Sequence, residues 1–169
     1  MKRSVPQTIM VLSLMLFAVS SANSQSPPNP TASLNRNTTG GTGALLNNTT
    51  GSENTAFGNN ALLNNTTGNS NTASGYNALA NNSAGIYNTA FGNFALFSNT
   101  TGNNNTALGT GALVSSTTGG TNTASGFQAL EFNTTGSFNT ASGAAAEAHE
   151  RMAFGSKCFA EESVGEGVA

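Results

Sequence analysis

Asn54-Thr55-Ala56-Phe57-Gly58-Asn59-Asn60-Ala61-Leu62-Leu63-Asn64-Asn65-Thr66-Thr67-Gly68-Asn69-Ser70 is one unit of the pattern that decides the fold. Its opening tripeptide, Asn-Thr-Ala, recurs at residues 54, 71, 88, 105, 122 and 139, always 17 residues apart. A glycine follows at a fixed offset, as Gly58, Gly75, Gly92, Gly109, Gly126 and Gly143. Ala-Leu pairs keep the same step from Ala61-Leu62 to Ala129-Leu130, and a looser copy in the same register runs from Asn37-Thr38 to Ala44-Leu45. A fixed period without insertions means like units stacked along one axis.

Seventeen residues cannot hold two helices and their turns, and two recurrent glycines per unit weaken helix further. Asn, Thr and Gly clusters favour turns and short strands. The unit therefore predicts an all-β chain, a parallel β-solenoid or β-roll of stacked 17-residue coils. Gly58 and Gly68 are the expected corners, because glycine takes positive φ without steric penalty. Leu62, Leu79, Leu96, Leu113 and Leu130 are expected to line up inside. Each would contribute about 1.5–3 kcal/mol on burial. The asparagines at 54, 71, 88, 105, 122 and 139 are expected to hydrogen-bond from coil to coil.

Strand alternation puts Thr55 on the opposite face from Asn54 and Ala56, and by itself leaves open which face is inside. The slot before the corner glycine holds Phe57, Ser74, Phe91, Leu108, Ser125 or Ser142. Such a slot is either half-buried or turned toward a neighbouring chain. Tyr76, Tyr87, Phe94, Phe97, Phe127, Phe132 and Phe138 occupy other variable positions. They read as scattered, not as one continuous aromatic track.

Working outward, residues 1–24 read as a cleaved signal peptide. Lys2 and Arg3 form the basic start, Ile9 to Val19 the apolar run, and Ser20-Ser21-Ala22 or Ala22-Asn23-Ser24 the cleavage region. Residues 25–36, with Pro27, Pro28 and Pro30, read as an extended linker. Residues 37–143 form the repeat block, and 144–169 read as degenerate shorter repeats. Glu147 and Arg151 also have helical spacing, so a short helix from Ala144 to Met152 is the other reading of that segment. No second apolar run follows the signal, so a secreted or cell-surface chain without a membrane span after cleavage is expected.

The chemistry-bearing residues are few. Net charge is −2, and between Asn37 and Ala146 only Glu53 and Glu131 are charged, which leaves no field to steer nucleic acid. The chain has no aspartate and a single histidine, His149, so one chain cannot build a histidine triad or a multi-histidine zinc site. Cys158 is the only cysteine and permits no disulfide within the chain. No enzymatic activity, cofactor or metal is expected. Asn48, Asn65, Asn99 and Asn133, with Asn82 in the equivalent place, read as glycan acceptors or simply as turn chemistry.

The units Ala56-Phe57-Gly58, Ala73-Ser74-Gly75, Ala90-Phe91-Gly92, Ala124-Ser125-Gly126 and Ala141-Ser142-Gly143 resemble the head repeats of trimeric autotransporter adhesins, the YadA-like or Hep/Hag repeat. The stretch Met152-Ala153-Phe154-Gly155-Ser156-Lys157-Cys158 with Ala160-Glu161-Glu162 is similar to shorter units of that family, and Gly167-Val168-Ala169 to the opening of another. Related 17-residue repeats occur in surface and tail-fibre proteins. The resemblance implies a left-handed parallel β-roll, three chains side by side, outside the cell, as part of a longer fibre. The chain departs from it in its 17-residue step and in having no stalk or anchor barrel. The expected function is a structural and adhesive segment of a surface fibre, a homotrimer with matrix-protein or glycan ligands. The alternative is an ice- or crystal-surface-binding solenoid. Its candidate contact row is Thr55, Thr72, Thr89, Thr106, Thr123 and Thr140. A third reading is an Asn-rich chain that is disordered or amyloid-forming.

Overall fold

The computed structural model describes residues 35–147 and 152–154. The segment expected to be a signal peptide, most of the expected linker, His149, Arg151 and Cys158 lie outside the described residues. Among the described residues eight three-residue strands make one parallel sheet in sequence order. They are β1 (Thr38–Gly40), β2 (Thr55–Phe57), β3 (Thr72–Ser74), β4 (Thr89–Phe91), β5 (Thr106–Leu108), β6 (Thr123–Ser125), β7 (Thr140–Ser142) and β8 (Met152–Phe154). The register pairs like with like: Thr55 with Thr72, Ala56 with Ala73, Phe57 with Ser74. The chain is a parallel β-solenoid, as the period predicts. Six steps of about 4.8 Å separate β1 from β7, a rise of about 29 Å. The last step is shorter, because Met152 pairs with Thr140, twelve residues on (152 − 140).

Little of each coil is strand, yet most of it is bonded to its neighbours. Thr55 N–H donates to Asn71 O at 2.8 Å, Leu62 N–H to Ala78 O at 3.0 Å, and Thr66 N–H to Ser83 O at 3.0 Å. Gly58 N–H points the other way, to Gly40 O at 2.7 Å. Each coil thus donates to the coils before and after it, and the backbone pairing extends well beyond the strands.

The interior is small and repetitive. Ala56, Ala61, Leu62 and their equivalents are fully buried and form one continuous core. The six leucines from Leu45 to Leu130 line up inside, each at φ of 52–53°. A left-handed backbone costs a non-glycine residue about 1–2 kcal/mol. Burying the whole leucine side chain returns about 1.5–3 kcal/mol, so burial wins at each coil.

The two recurrent glycines are needed for different reasons. Gly58 lies at φ +126°, so it is a corner, as expected. Gly68 does not have positive φ; the expectation of a second conformational corner there is corrected. Its requirement is space: a Cβ on Gly68 would fall 2.5 Å from Gly85 O and 2.6 Å from Asn82 Nδ2. The chain's other sharp turns use left-handed residues at Asn60 (φ 58°) and Ser70 (φ 56°) and their equivalents.

Two further readings are adjusted. Asn35 and Arg36 already belong to the stack: Asn35 O accepts from Glu53 N–H at 3.0 Å, and Arg36 Nη2 meets Glu53 Oε1 at 2.6 Å. Ala144 to Glu147 form a turn and coil, not helix, and the rest of the suggested helix, with the Glu147–Arg151 pairing, lies outside the described residues. No helix among the described residues is long and apolar enough to cross a membrane.

Candidate functional site on the outer face of the sheet

Two asparagine ladders fix how each coil is turned, and so what it shows to solvent. In the first, Asn71 N–H donates to Asn54 Oδ1 at 2.9 Å, while Asn71 Nδ2 donates to the same oxygen at 3.1 Å and to Gly85 O at 2.8 Å. The pattern repeats through Asn88, Asn105 and Asn122, and Asn139 N–H ends it on Asn122 Oδ1. In the second, Asn65 Nδ2 donates to Asn48 Oδ1 at 2.9 Å, Asn82 Nδ2 to Asn65 Oδ1 at 2.7 Å, and Asn99 Nδ2 to Asn82 Oδ1 at 2.8 Å. The amides satisfy buried carbonyls that no strand ladder reaches.

This settles what alternation left open. Asn54 and Ala56 point inward and Thr55 outward. It also bears on the sequons. Asn48, Asn65, Asn82 and Asn99 are buried with Nδ2 donated, so in the folded coil they serve turn and core chemistry, not solvent-facing glycan attachment. Asn133 is half-buried, with Nδ2 on Gly136 O at 3.1 Å.

The outer face carries two ranks of side chains. The first is Thr55, Thr72, Thr89, Thr106, Thr123 and Thr140, extended by Thr38, stacked in register at about 4.8 Å. Their hydroxyls bond to none of the described residues, and Thr123 is exposed while most of its companions are half-buried. A second threonine row differs. Thr66 Oγ1 donates to Ser83 O at 2.8 Å, Ser83 Oγ to Thr100 O at 3.0 Å, and Thr100 Oγ1 to Thr117 O at 3.1 Å. Those hydroxyls are committed to coil-to-coil bonds, and Ser83 continues the row.

The second outer rank lies on either side of the corner glycine. Phe57, Phe91 and Leu108 precede it and are 41–47% exposed. At two of the three serine slots, Ser74 and Ser125, the residue after the glycine is large instead, Tyr76 (47% exposed) or Phe127 (55%); after Ser142 and Gly143 it is Ala144. Where the slot is Phe or Leu, the residue after the glycine is Asn59, Asn93 or Thr110. Five successive coils therefore each present one large exposed apolar side chain at the corner edge. Phe94 thickens the stripe, stacking edge-on against Tyr76 at 5.3 Å and Phe97 at 5.4 Å. The aromatics are thus not simply scattered. The signal was present in the sequence, but only when the two flanks of the glycine are read as one site. Tyr87, Phe132 and Phe138 are exposed at other positions of the coil.

Charge is confined to the two ends. From Asn54 to Leu130 no residue is charged. Arg36 and Glu53 pair at the first coil. At the other end burial pushes the Glu147 carboxyl above its ordinary 4.5; backbone hydrogen bonds at Phe132 and Glu131 oppose this, and the nearby Glu131 carboxylate adds to it. Among the described residues no three His, Cys, Asp or Glu side chains come together. Comparisons with protein-family models, with curated proteins and with solved structures gave no match.

Proposed function

We propose that the chain is a non-enzymatic structural and adhesive segment of an extracellular surface fibre, built from solenoids lying side by side as a homotrimer. The observation that carries this reading is the corner stripe. Phe57, Tyr76, Phe91, Phe94, Leu108 and Phe127 together leave an area on the order of 500 Å² exposed. That lies at the upper end of what a monomer ordinarily shows, and is a large part of the roughly 800 Å² per partner of a standard interface. The stripe and its surroundings are uncharged, so a second copy meets it without like-charge repulsion. On this reading the chain is exported and displayed at the cell surface. Its Thr and Asn rows then offer many weak contacts to a matrix protein or glycan.

Sedimentation equilibrium tests the assembly. The chain should sediment as an elongated trimer, and Phe91→Ser with Leu108→Ser should release monomers of unchanged circular dichroism. A wild-type chain that stays monomeric at all concentrations refutes it. Adhesion is tested separately, by binding of the assembled wild type to immobilised matrix proteins and glycans.

One observation favours the second reading, binding to ice or another crystal face. Seven in-register threonines, Thr38 included, keep hydroxyls free of bonds to the described residues. Beside them stands a rank of mixed Phe, Leu and Ser, which does not repeat as a lattice would. Thermal hysteresis at high protein concentration, lost in Thr89→Lys, would establish this reading over the first.

A further inference from the structure

The second asparagine ladder is interrupted once inside the stack. On its intact rungs the amide does two things. Asn82 Nδ2 donates to Asn65 Oδ1 at 2.7 Å and to Gly85 O at 3.0 Å; Asn99 Nδ2 donates to Asn82 Oδ1 at 2.8 Å and to Gly102 O at 3.1 Å. The next rung is Ser116, also fully buried. Its side chain is shorter by the amide group. Two polar atoms are left there without a partner, Asn99 Oδ1 and Ser116 Oγ, and they are the two unpartnered buried side-chain polar atoms among the described residues. On the far side Asn133 Nδ2 donates to Gly136 O at 3.1 Å and has no amide to meet below it.

Leaving such atoms bare is unfavourable, because the hydrogen bonds they made to water in the unfolded chain are lost without replacement. The groups around the gap have complementary needs. Asn99 Oδ1 is an acceptor, Ser116 Oγ a donor and acceptor, Asn133 Nδ2 carries a second hydrogen, and Gly119 O keeps a lone pair beside the bond it accepts from Asn105 Nδ2. An asparagine at this rung would donate twice and accept once. The atoms by which asparagine exceeds serine fill about the 30 Å³ of one water. Water can donate to Asn99 Oδ1 and Gly119 O and accept from Ser116 Oγ and Asn133 Nδ2, within the two to four bonds typical of a buried water.

We propose that this step of the ladder is a binding site for one internal water, which replaces the missing amide as the rung between Asn99 and Asn133. The site belongs to the fold and is independent of the adhesive reading. It should be a slow-exchanging water, because it is enclosed by coils that are bonded to each other on both sides.

The test compares the full wild-type chain with Ser116→Asn by magnetic relaxation dispersion of water ¹⁷O, which counts long-lived internal waters. The expected result is one fewer such water in S116N, with the unfolding midpoint unchanged or raised by up to about 8 °C, since the side chain supplies the same bonds without immobilising a water. Equal counts in the two proteins overturn the proposal. Should S116N fail to fold, a high-resolution crystal structure of the wild type decides: density within hydrogen-bond distance of both Asn99 Oδ1 and Ser116 Oγ supports it, and a direct bond between those two atoms refutes it.

Discussion

Asn88→Asp is the sharpest probe of what holds the stack together, because it changes one donor to an acceptor at constant size. Asn88 is fully buried. Its Oδ1 accepts from Asn105 N–H at 2.9 Å and from Asn105 Nδ2 at 3.1 Å, and an aspartate keeps both bonds. Its Nδ2 donates to Gly102 O at 2.8 Å and to Asn71 Oδ1 at 3.2 Å. In aspartate that atom is oxygen, and it faces two acceptors. Ionised, it is a buried charge with half its neighbours repulsive; removing one partner from a buried charged arrangement costs about 3–5 kcal/mol. Protonated, it restores one donor, and the cost falls to about 1 kcal/mol for the bond still lost.

The folded-state pKa of the new carboxyl is therefore raised above its unfolded value of about 3.9. The added penalty is absent below the unfolded pKa, grows as pH rises toward the folded pKa, and is full above it. Chemical denaturation followed by circular dichroism at pH 4 and pH 7 reads the difference. We expect the deficit relative to wild type to grow by at least about 2 kcal/mol between the two, by the same arithmetic. A deficit under about 1 kcal/mol at pH 7, or one that does not change with pH, would refute the claim that the amide donors hold the coils.

Other outcomes follow from the same geometry. Leu96→Ala should cost about 2–5 kcal/mol in denaturation, since Leu96 is fully buried and its neighbours above and below are leucines held at the same left-handed φ. Gly68→Ala should lower the melting temperature although its φ is ordinary, because the added Cβ meets Gly85 O; overpacking of this kind costs about 1–3 kcal/mol. With its pKa raised in the folded state, Glu147 stabilises the fold in acid, and that increment is lost as pH rises through 4.5 and the raised value. Glu147→Gln should therefore flatten the wild-type stability profile across that window, as measured by thermal melts from pH 4 to 7.

The 17-residue period determined the architecture without any coordinates. In-register stacking sets residue i over residue i + 17, so a strict repeat places leucine on leucine and asparagine on asparagine, and burial and amide pairing both favour that overlap. The inward leucines and the first asparagine ladder were legible for this reason. Three things waited on the tertiary structure. Which side of the strand faces in depends on left-handed turns whose slots are filled by different residue types, Asn60, Asn77 and Phe94 in one and Ser70, Tyr87 and Thr121 in the other; asparagine favours positive φ, but Phe, Ser, Tyr and Thr do not announce it. The need for Gly68 comes from the next coil's carbonyl, not from its own backbone, and a close approach between coils leaves no mark in local sequence. The corner stripe and the Ser116 gap arise because residues far apart in the chain become neighbours in space: large side chains beside the corner glycine recur from coil to coil, as where Tyr76 meets Phe94, and a short side chain on one coil leaves the amide of another without its partner.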